Sequence, residues 1–212
     1  MAISDGQQDA GSGGEVGRVF EWSSYGRPCF GERLSGDVAL AVEVEGRLMI
    51  ILIDVLGHGA EAYELAKPMA DYAKDCPSAQ PTTMLSNLHE RFKGSRGSVA
   101  GCAILNPNSG EVAYVGVGNP CFRIFGKSRS LLLPASAGTI GSKIGKLKVH
   151  HAKMQPKDVL IACSDGVSER FGIPDYPQLL SHGVWAVARN VVRRFGKEYD
   201  DATCLVVCMV ET

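Results

Sequence analysis

Apolar residues recur along this chain at two different periods, and the places where the period changes mark its elements. Asp37 to Val44 and Arg47 to Asp54 form two strand-like runs around Glu45-Gly46, a two-residue turn whose glycine can take positive φ. Both faces of these runs are apolar: Val38, Leu40, Val42, Met49, Ile51 and Ile53 on one, Ala39, Ala41, Ile50 and Leu52 on the other. Such a hairpin belongs in a sheet covered on both sides. Val19 to Ser24 reads as a preceding strand. Ala60 to Lys74 then has helical composition, with Pro68 as an expected kink or break, and Thr82 to Lys93 repeats the pattern at Met84, Leu85, Leu88 and Phe92. These two helices are expected to cover one outer face.

From Ser98 the period returns to that of strands. Val99 to Leu105 and Glu111 to Val117 flank the turn Asn106-Pro107-Asn108-Ser109-Gly110, Cys121 to Phe125 and Ser130 to Leu133 form a third hairpin, and Asp158 to Cys163 and Thr203 to Val210 are single apolar runs. Before the last run, Val184, Trp185, Val187, Ala188, Val191, Val192 and Phe195 recur at helical spacing up to Gly196, with Trp185 expected in the core. Ala135 to Lys148, rich in Gly and Ser, reads either as a flap over a site or as a surface loop. Hairpins with helices arriving in groups predict an α/β (α+β) fold: a four-layer α-β-β-α sandwich of two antiparallel sheets flanked by helices.

Composition narrows the picture. A chain of 212 residues with 45% apolar side chains suits one domain, expected over residues 18–212 after a polar, glycine-rich stretch at 1–17 that is expected to be disordered. Lys and Arg number 22 against 23 Asp and Glu, so nothing in the charge of −1 points to nucleic acid or an anionic membrane. The longest apolar stretch, Leu48 to Leu56, is interrupted by Asp54 and falls far short of the roughly 20 residues that span a bilayer. The start of the chain lacks the basic and apolar regions of a signal peptide, which reads as a cytoplasmic protein. Seven cysteines form no Cys-x-x-Cys pair and are expected to be small core residues.

The chemistry lies in aspartates at the ends of apolar runs: Gly36-Asp37, Asp54-Val55-Leu56-Gly57-His58-Gly59, Ser164-Asp165-Gly166 and Asp200-Asp201. Counting outward from the Glu45-Gly46 turn pairs Val44 with Arg47, Leu40 with Ile51 and Asp37 with Asp54. Directly opposed carboxylates repel unless something neutralises them, and a fold that gathers four of them calls for hard divalent cations. The Val55 carbonyl can add an oxygen ligand whatever its side chain, and one of Asp200 and Asp201 is expected to ligate while the other hydrogen-bonds nearby. An all-oxygen set suits Mg²⁺ or Mn²⁺ and does not call for His58, and His150-His151 would face opposite sides of a strand. Arg27 and Arg33 are expected to be surface residues.

These motifs in this order resemble the PPM metal-dependent Ser/Thr protein phosphatases, specifically the SpoIIE-like branch, over about Val19 to Val210. Gly116-Val117-Gly118-Asn119-Pro120 and Ser164-Asp165-Gly166-Val167-Ser168-Glu169 are similar to two further signatures of that branch. The resemblance implies that Asp54 bridges two Mn²⁺ or Mg²⁺ ions, that the Val55 carbonyl binds one, and that Asp37, Asp165 and Asp200 complete the site. Asp201 matches a position that is often Asn in the wider family, which favours Asp200 as ligand. Val55 departs from the Gly of many members. A metal-activated water would attack phosphoserine or phosphothreonine without a covalent phosphoenzyme.

The chain is also similar to stand-alone RsbX-type phosphatases, which implies a catalytic domain with no attached sensor. It also implies a phosphorylated STAS-domain protein as partner, a stressosome subunit or an anti-sigma-factor antagonist, with a monomer favoured. Two other readings compete: a hydrolase of small phosphate esters, and a catalytically inactive phosphoprotein-docking module. Retention of all four aspartates argues against the latter.

Overall fold

The hairpin at the centre of the sequence pattern forms in the register its turn dictates. β2 (Asp37–Val44) and β3 (Arg47–Val55) pair antiparallel with Val44 opposite Arg47, Leu40 opposite Ile51 and Asp37 opposite Asp54. Both turn residues are left-handed, Glu45 at φ 50° and Gly46 at 68°, as a two-residue turn matched to strand twist requires. The structure, a computed structural model, describes residues 19–127, 129–168, 180 and 182–210. The stretch at 1–17 and Glu169 lie outside the described residues.

Two five-stranded antiparallel sheets make the two inner layers. One runs β10-β5-β4-β3-β2, adding β4 (Ser98–Leu105), β5 (Glu111–Val117) and β10 (His150–Lys153) to the central hairpin. The other runs β1-β12-β11-β6-β7, from β1 (Phe20–Arg27), β12 (Ala202–Met209), β11 (Val159–Cys163), β6 (Cys121–Gly126) and β7 (Arg129–Leu133). Helices α1 (Gly59–Asp75) and α2 (Pro81–Arg91) pack on the first sheet, and α3 (Val184–Phe195) packs on the second. The alternation of the central hairpin divides two cores. Val38, Met49, Ile51 and Ile53 pack under α1 and α2 with Met69, Met84, Leu85 and Leu88. Ala39, Ile50 and Leu52 face the other sheet and meet Phe122, Leu160, Leu205 and Val207. A third cluster joins Ile161 and Val206 to Val187, Val191 and Val192 of α3. The expected four-layer α-β-β-α sandwich is the observed one.

Two local expectations change and one open alternative is decided. α1 runs unbroken through Pro68, which lies on the exposed face, where the carbonyl left without its helical donor can meet water. Trp185 is 44% exposed instead of being core. It sits in the first turn of α3, where side chains lean back past the helix end, and Arg189 one turn on lies 5.3 Å over its ring. The stretch 135–148 is a pinned connection and not a free flap. It carries the short pair β8 (Gly138–Thr139) and β9 (Lys143–Ile144), buries Ile140, and exchanges two main-chain hydrogen bonds between Ile140 and Ser98. Of the cysteines, Cys102, Cys121, Cys163 and Cys204 are buried strand residues as expected, whereas Cys76 is exposed.

Leu52 is fully buried between the two sheets, so its truncation should cost far more than one at the surface. Leu52→Ala is expected to lower the unfolding free energy by about 2–5 kcal/mol, and Leu132→Ala, 52% exposed on β7, by less than about 1 kcal/mol. Urea unfolding of the two variants measures the difference; equal losses would contradict the burial of Leu52 between the sheets.

Candidate metal centre

Four strand ends from two different sheets meet at one rim. Asp37 opens β2 and Asp54 stands directly across from it near the end of β3. Asp165 follows β11, and Asp200 and Asp201 precede β12, two strands that are paired in the opposite sheet. Hydrogen bonds lock the two rims together. Ser164 Oγ donates to Asp37 Oδ2 at 2.6 Å while accepting from the Thr203 N–H at 3.0 Å. The Asp165 N–H donates to the Asp54 carboxylate. A Cβ at Gly166 would collide with the Asp201 carbonyl, so only glycine permits this approach of the two loops.

Asp200 and Asp201 take different parts. The buried Asp201 accepts the Cys29 N–H on Oδ1 and the Gly36 N–H on Oδ2, each at 2.7 Å, and so ties the β1–β2 connection beside Asp37. Asp200 is only half-buried and stands among the other carboxylates. Asp165 also has supports that sequence reading did not identify: Asn119 Nδ2 donates to its Oδ2 at 2.8 Å, and Lys197 Nζ donates to its main-chain carbonyl at 2.6 Å. Asn119 was visible only as part of a Gly/Asn-Pro segment, and Lys197 carried no signal. Arg27 is not the expected surface residue. Its guanidinium is half-buried and donates to the carbonyls of Pro28, Lys197 and Asp200, bracing the same loop, whereas Arg33 is exposed. His58 sits outside the carboxylates, 3.3 Å from Glu32, and Val55 is buried.

The electrostatics of the rim are those of carboxylates forced together. Burial, followed by the charges of Asp37, Asp165 and Asp200, pushes Asp54 up to about 9. Burial likewise pushes Asp37 up to about 7, with Asp201 and Asp200 adding to it against the hydrogen bonds from Ser164 and Thr203. Asp200 is raised by burial and by Asp165. Among the described residues no group of three or more His, Cys, Asp or Glu side chains is already drawn tightly enough to hold an ion. The donor set nevertheless fits a hard divalent cation: all oxygen, from opposite sides of one rim, with charge that the fold itself leaves uncompensated.

A family model described as stage II sporulation protein E (SpoIIE) matches residues 44–210. Among solved structures, one concerning the bacterial stressosome, a modular system adapted to control secondary messenger signalling, is 24% identical with a TM-score of 0.81, over 89% of this chain and 98% of the other. RsbX in complex with magnesium is 21% identical with a TM-score of 0.76, over 91% and 96% of the two chains. The PP2C phosphatase domain of the cell-fate determinant SpoIIE from Bacillus subtilis is 21% identical with a TM-score of 0.67, over 89% and 63%. At these identities the structural likeness is one of fold. No helix among the described residues is long and apolar enough to cross a membrane.

Two outcomes follow for the protein freed of metal. Asp37 and Asp54 keep protons in the folded chain at pH values where the unfolded chain, titrating near 3.8, has lost them. Their contribution is therefore fully present below about pH 4 and falls as pH rises through about 7 and then about 9. In chelator the melting temperature is expected to be lower at pH 8 than at pH 5.5, and Mn²⁺ is expected to close the gap; a melting temperature that rises with pH in chelator contradicts this. Asp201→Asn turns an amide NH₂ toward either the Cys29 or the Gly36 N–H, and is expected to cost about 1–3 kcal/mol by thermal or urea unfolding.

Proposed function

The chain belongs to the SpoIIE family, and we propose that it is a metal-dependent protein phosphatase that hydrolyses phosphoserine or phosphothreonine on STAS-domain proteins in bacterial stress signalling. The observation that carries this reading is the opposition of Asp37 and Asp54 across one hairpin, with Asp165 and Asp200 delivered to the same rim from the other sheet. The PP2C-type fold is that of metal-dependent phosphatases, and RsbX, which shares it, binds magnesium.

In this reading Asp37, Asp54, Asp165, Asp200 and the Val55 carbonyl would hold two Mn²⁺ or Mg²⁺ ions. When bound, such ions lower the pKa of water and take up charge on phosphoryl oxygens. The chain's own residues set the stage. Ser164 holds Asp37 Oδ2 and so fixes the orientation of this carboxylate at the rim. Asn119 fixes one oxygen of Asp165 and so the direction of its partner. Arg27 and Lys197 hold the backbone on which Asp165 and Asp200 ride, so neither carboxylate has to be ordered at the moment of substrate binding. The likeness to stressosome-related and RsbX structures supports a phosphorylated STAS-domain protein as substrate.

Phosphate release from a phosphoserine STAS-domain protein, with Mn²⁺ or with chelator, tests the reading. Release is expected with Mn²⁺ alone, and Asp54→Asn is expected to reduce it at least about a hundredfold, beyond the loss typical of residues that only support a ligand. Absence of release across a panel of such substrates, with Mn²⁺ still bound, would favour an inactive docking module instead.

A further inference from the structure

The two most exposed large hydrophobic side chains among the described residues, Phe30 at 87% and Tyr199 at 74%, lie far apart in sequence and beside the acidic rim in space. Their main chains are joined directly, because the Phe30 N–H donates to the Glu198 carbonyl at 2.9 Å. Cys29, next to Phe30, donates to Asp201, and Tyr199 immediately precedes Asp200. Arg27 ties both segments again through the carbonyls of Lys197 and Asp200, at 2.7 and 3.2 Å. An aromatic ring held in water on a frame that is hydrogen-bonded into the carboxylate rim adds nothing to folding, and exposed apolar surface of this kind marks an interaction site.

We propose that Phe30 and Tyr199 form a docking platform for the polypeptide of the phosphoprotein substrate, gripping an apolar residue that flanks its phosphorylated side chain. This rests on the phosphatase reading for the identity of the adjacent site. Three observations favour a polypeptide occupant. The carboxylate rim engages only the phosphoryl group, so recognition of a protein needs surface beyond it, and the platform begins one residue from Asp200 and Asp201. On these two segments Glu198, Asp200 and Asp201 outnumber Arg27 and Lys197, whose side chains are engaged by main-chain carbonyls, and this balance opposes a nucleic acid or an anionic bilayer. The backbone carrying both rings is fixed before binding, so docking orders few groups beyond the two side chains. Of the other exposed apolar side chains, Leu34 and Leu56, at 39% and 46%, flank Asp37 and Asp54 on the same rim, whereas Leu131 and Leu132 lie on the edge strand β7 and Trp185 under Arg189.

The test compares wild type with a Phe30→Ala, Tyr199→Ala double variant on two substrates and in one binding measurement. With Mn²⁺, kcat/KM for a phosphoserine STAS-domain protein is expected to fall about tenfold or more, mainly through KM, as loss of central aromatic contacts does. Hydrolysis of p-nitrophenyl phosphate, which reaches only the carboxylates, is expected to stay within about twofold. In chelator, where no turnover occurs, the dissociation constant for the same phosphoprotein on a biosensor is expected to rise by a similar factor. The proposal is overturned if the variant binds the phosphoprotein as tightly as wild type, if both activities fall together, or if wild type neither turns over nor binds it. A wild type inactive on both substrates defeats the phosphatase reading alone, and the binding measurement still decides the platform.

Discussion

Everything at the functional end of this molecule follows from the meeting of buried or half-buried carboxylates across two sheets. Asp37 and Asp54 face each other because a two-residue turn fixes the hairpin register, and Asp165 and Asp200 face them because β11 and β12 pair in the opposite sheet with their ends at the same rim. Desolvation and mutual repulsion push the charges toward protonation. The fold tolerates this because the layers above and below are closed by apolar packing that has no comparable conflict. Three clusters of Leu, Ile, Val and Met, each between two layers, carry the stability, and the rim is free to be unfavourable.

The supports around the rim divide charge-bearing from frame-building residues. Asp201 spends both oxygens on main-chain N–H groups, so it fastens the β1–β2 connection, while its neighbour Asp200 remains among the carboxylates. Ser164 performs a similar double task, donating to Asp37 and accepting from Thr203, and so stitches one sheet to the other at the point where the carboxylates meet. Arg27 and Lys197 contribute cations, yet their hydrogen bonds run to carbonyl oxygens and not to the carboxylates. Positive charge is thus used to hold backbone in place, and burial and mutual repulsion keep Asp37, Asp54 and Asp200 raised.

The same frame displays the exposed aromatics. Phe30 and Tyr199 ride on the two segments that Arg27 and Asp201 join, so their place relative to the rim is set by the bonds that position Asp200. A polypeptide docked on such a surface would be positioned by the same bonds that position the site.

Much of the fold was legible because it rests on local rules. The alternation of Val38 to Ile53 assigned each hairpin residue to its core, and turn length set the Asp37–Asp54 pairing, since strand period and turn geometry act within a few residues. The stripe of α3 was equally readable from spacing. What failed depended on neighbours far along the chain. Trp185 had the right spacing for the core, but in the first turn of α3 it leans past the helix end and lies 44% exposed under Arg189. Pro68 looked like a break, but its position on the solvent face made it harmless. Arg27 looked like surface until residues some 170 positions away supplied carbonyls to it. By itself the sequence determined the long apolar strands, the hairpin register and which aspartates end strands, though not the short β8 and β9. Only the tertiary structure decided that Asp201 serves the backbone, that Asn119 and Lys197 support Asp165, and that Phe30 is hydrogen-bonded to the segment that carries Tyr199, because hydrogen bonds between distant segments leave no period in a sequence.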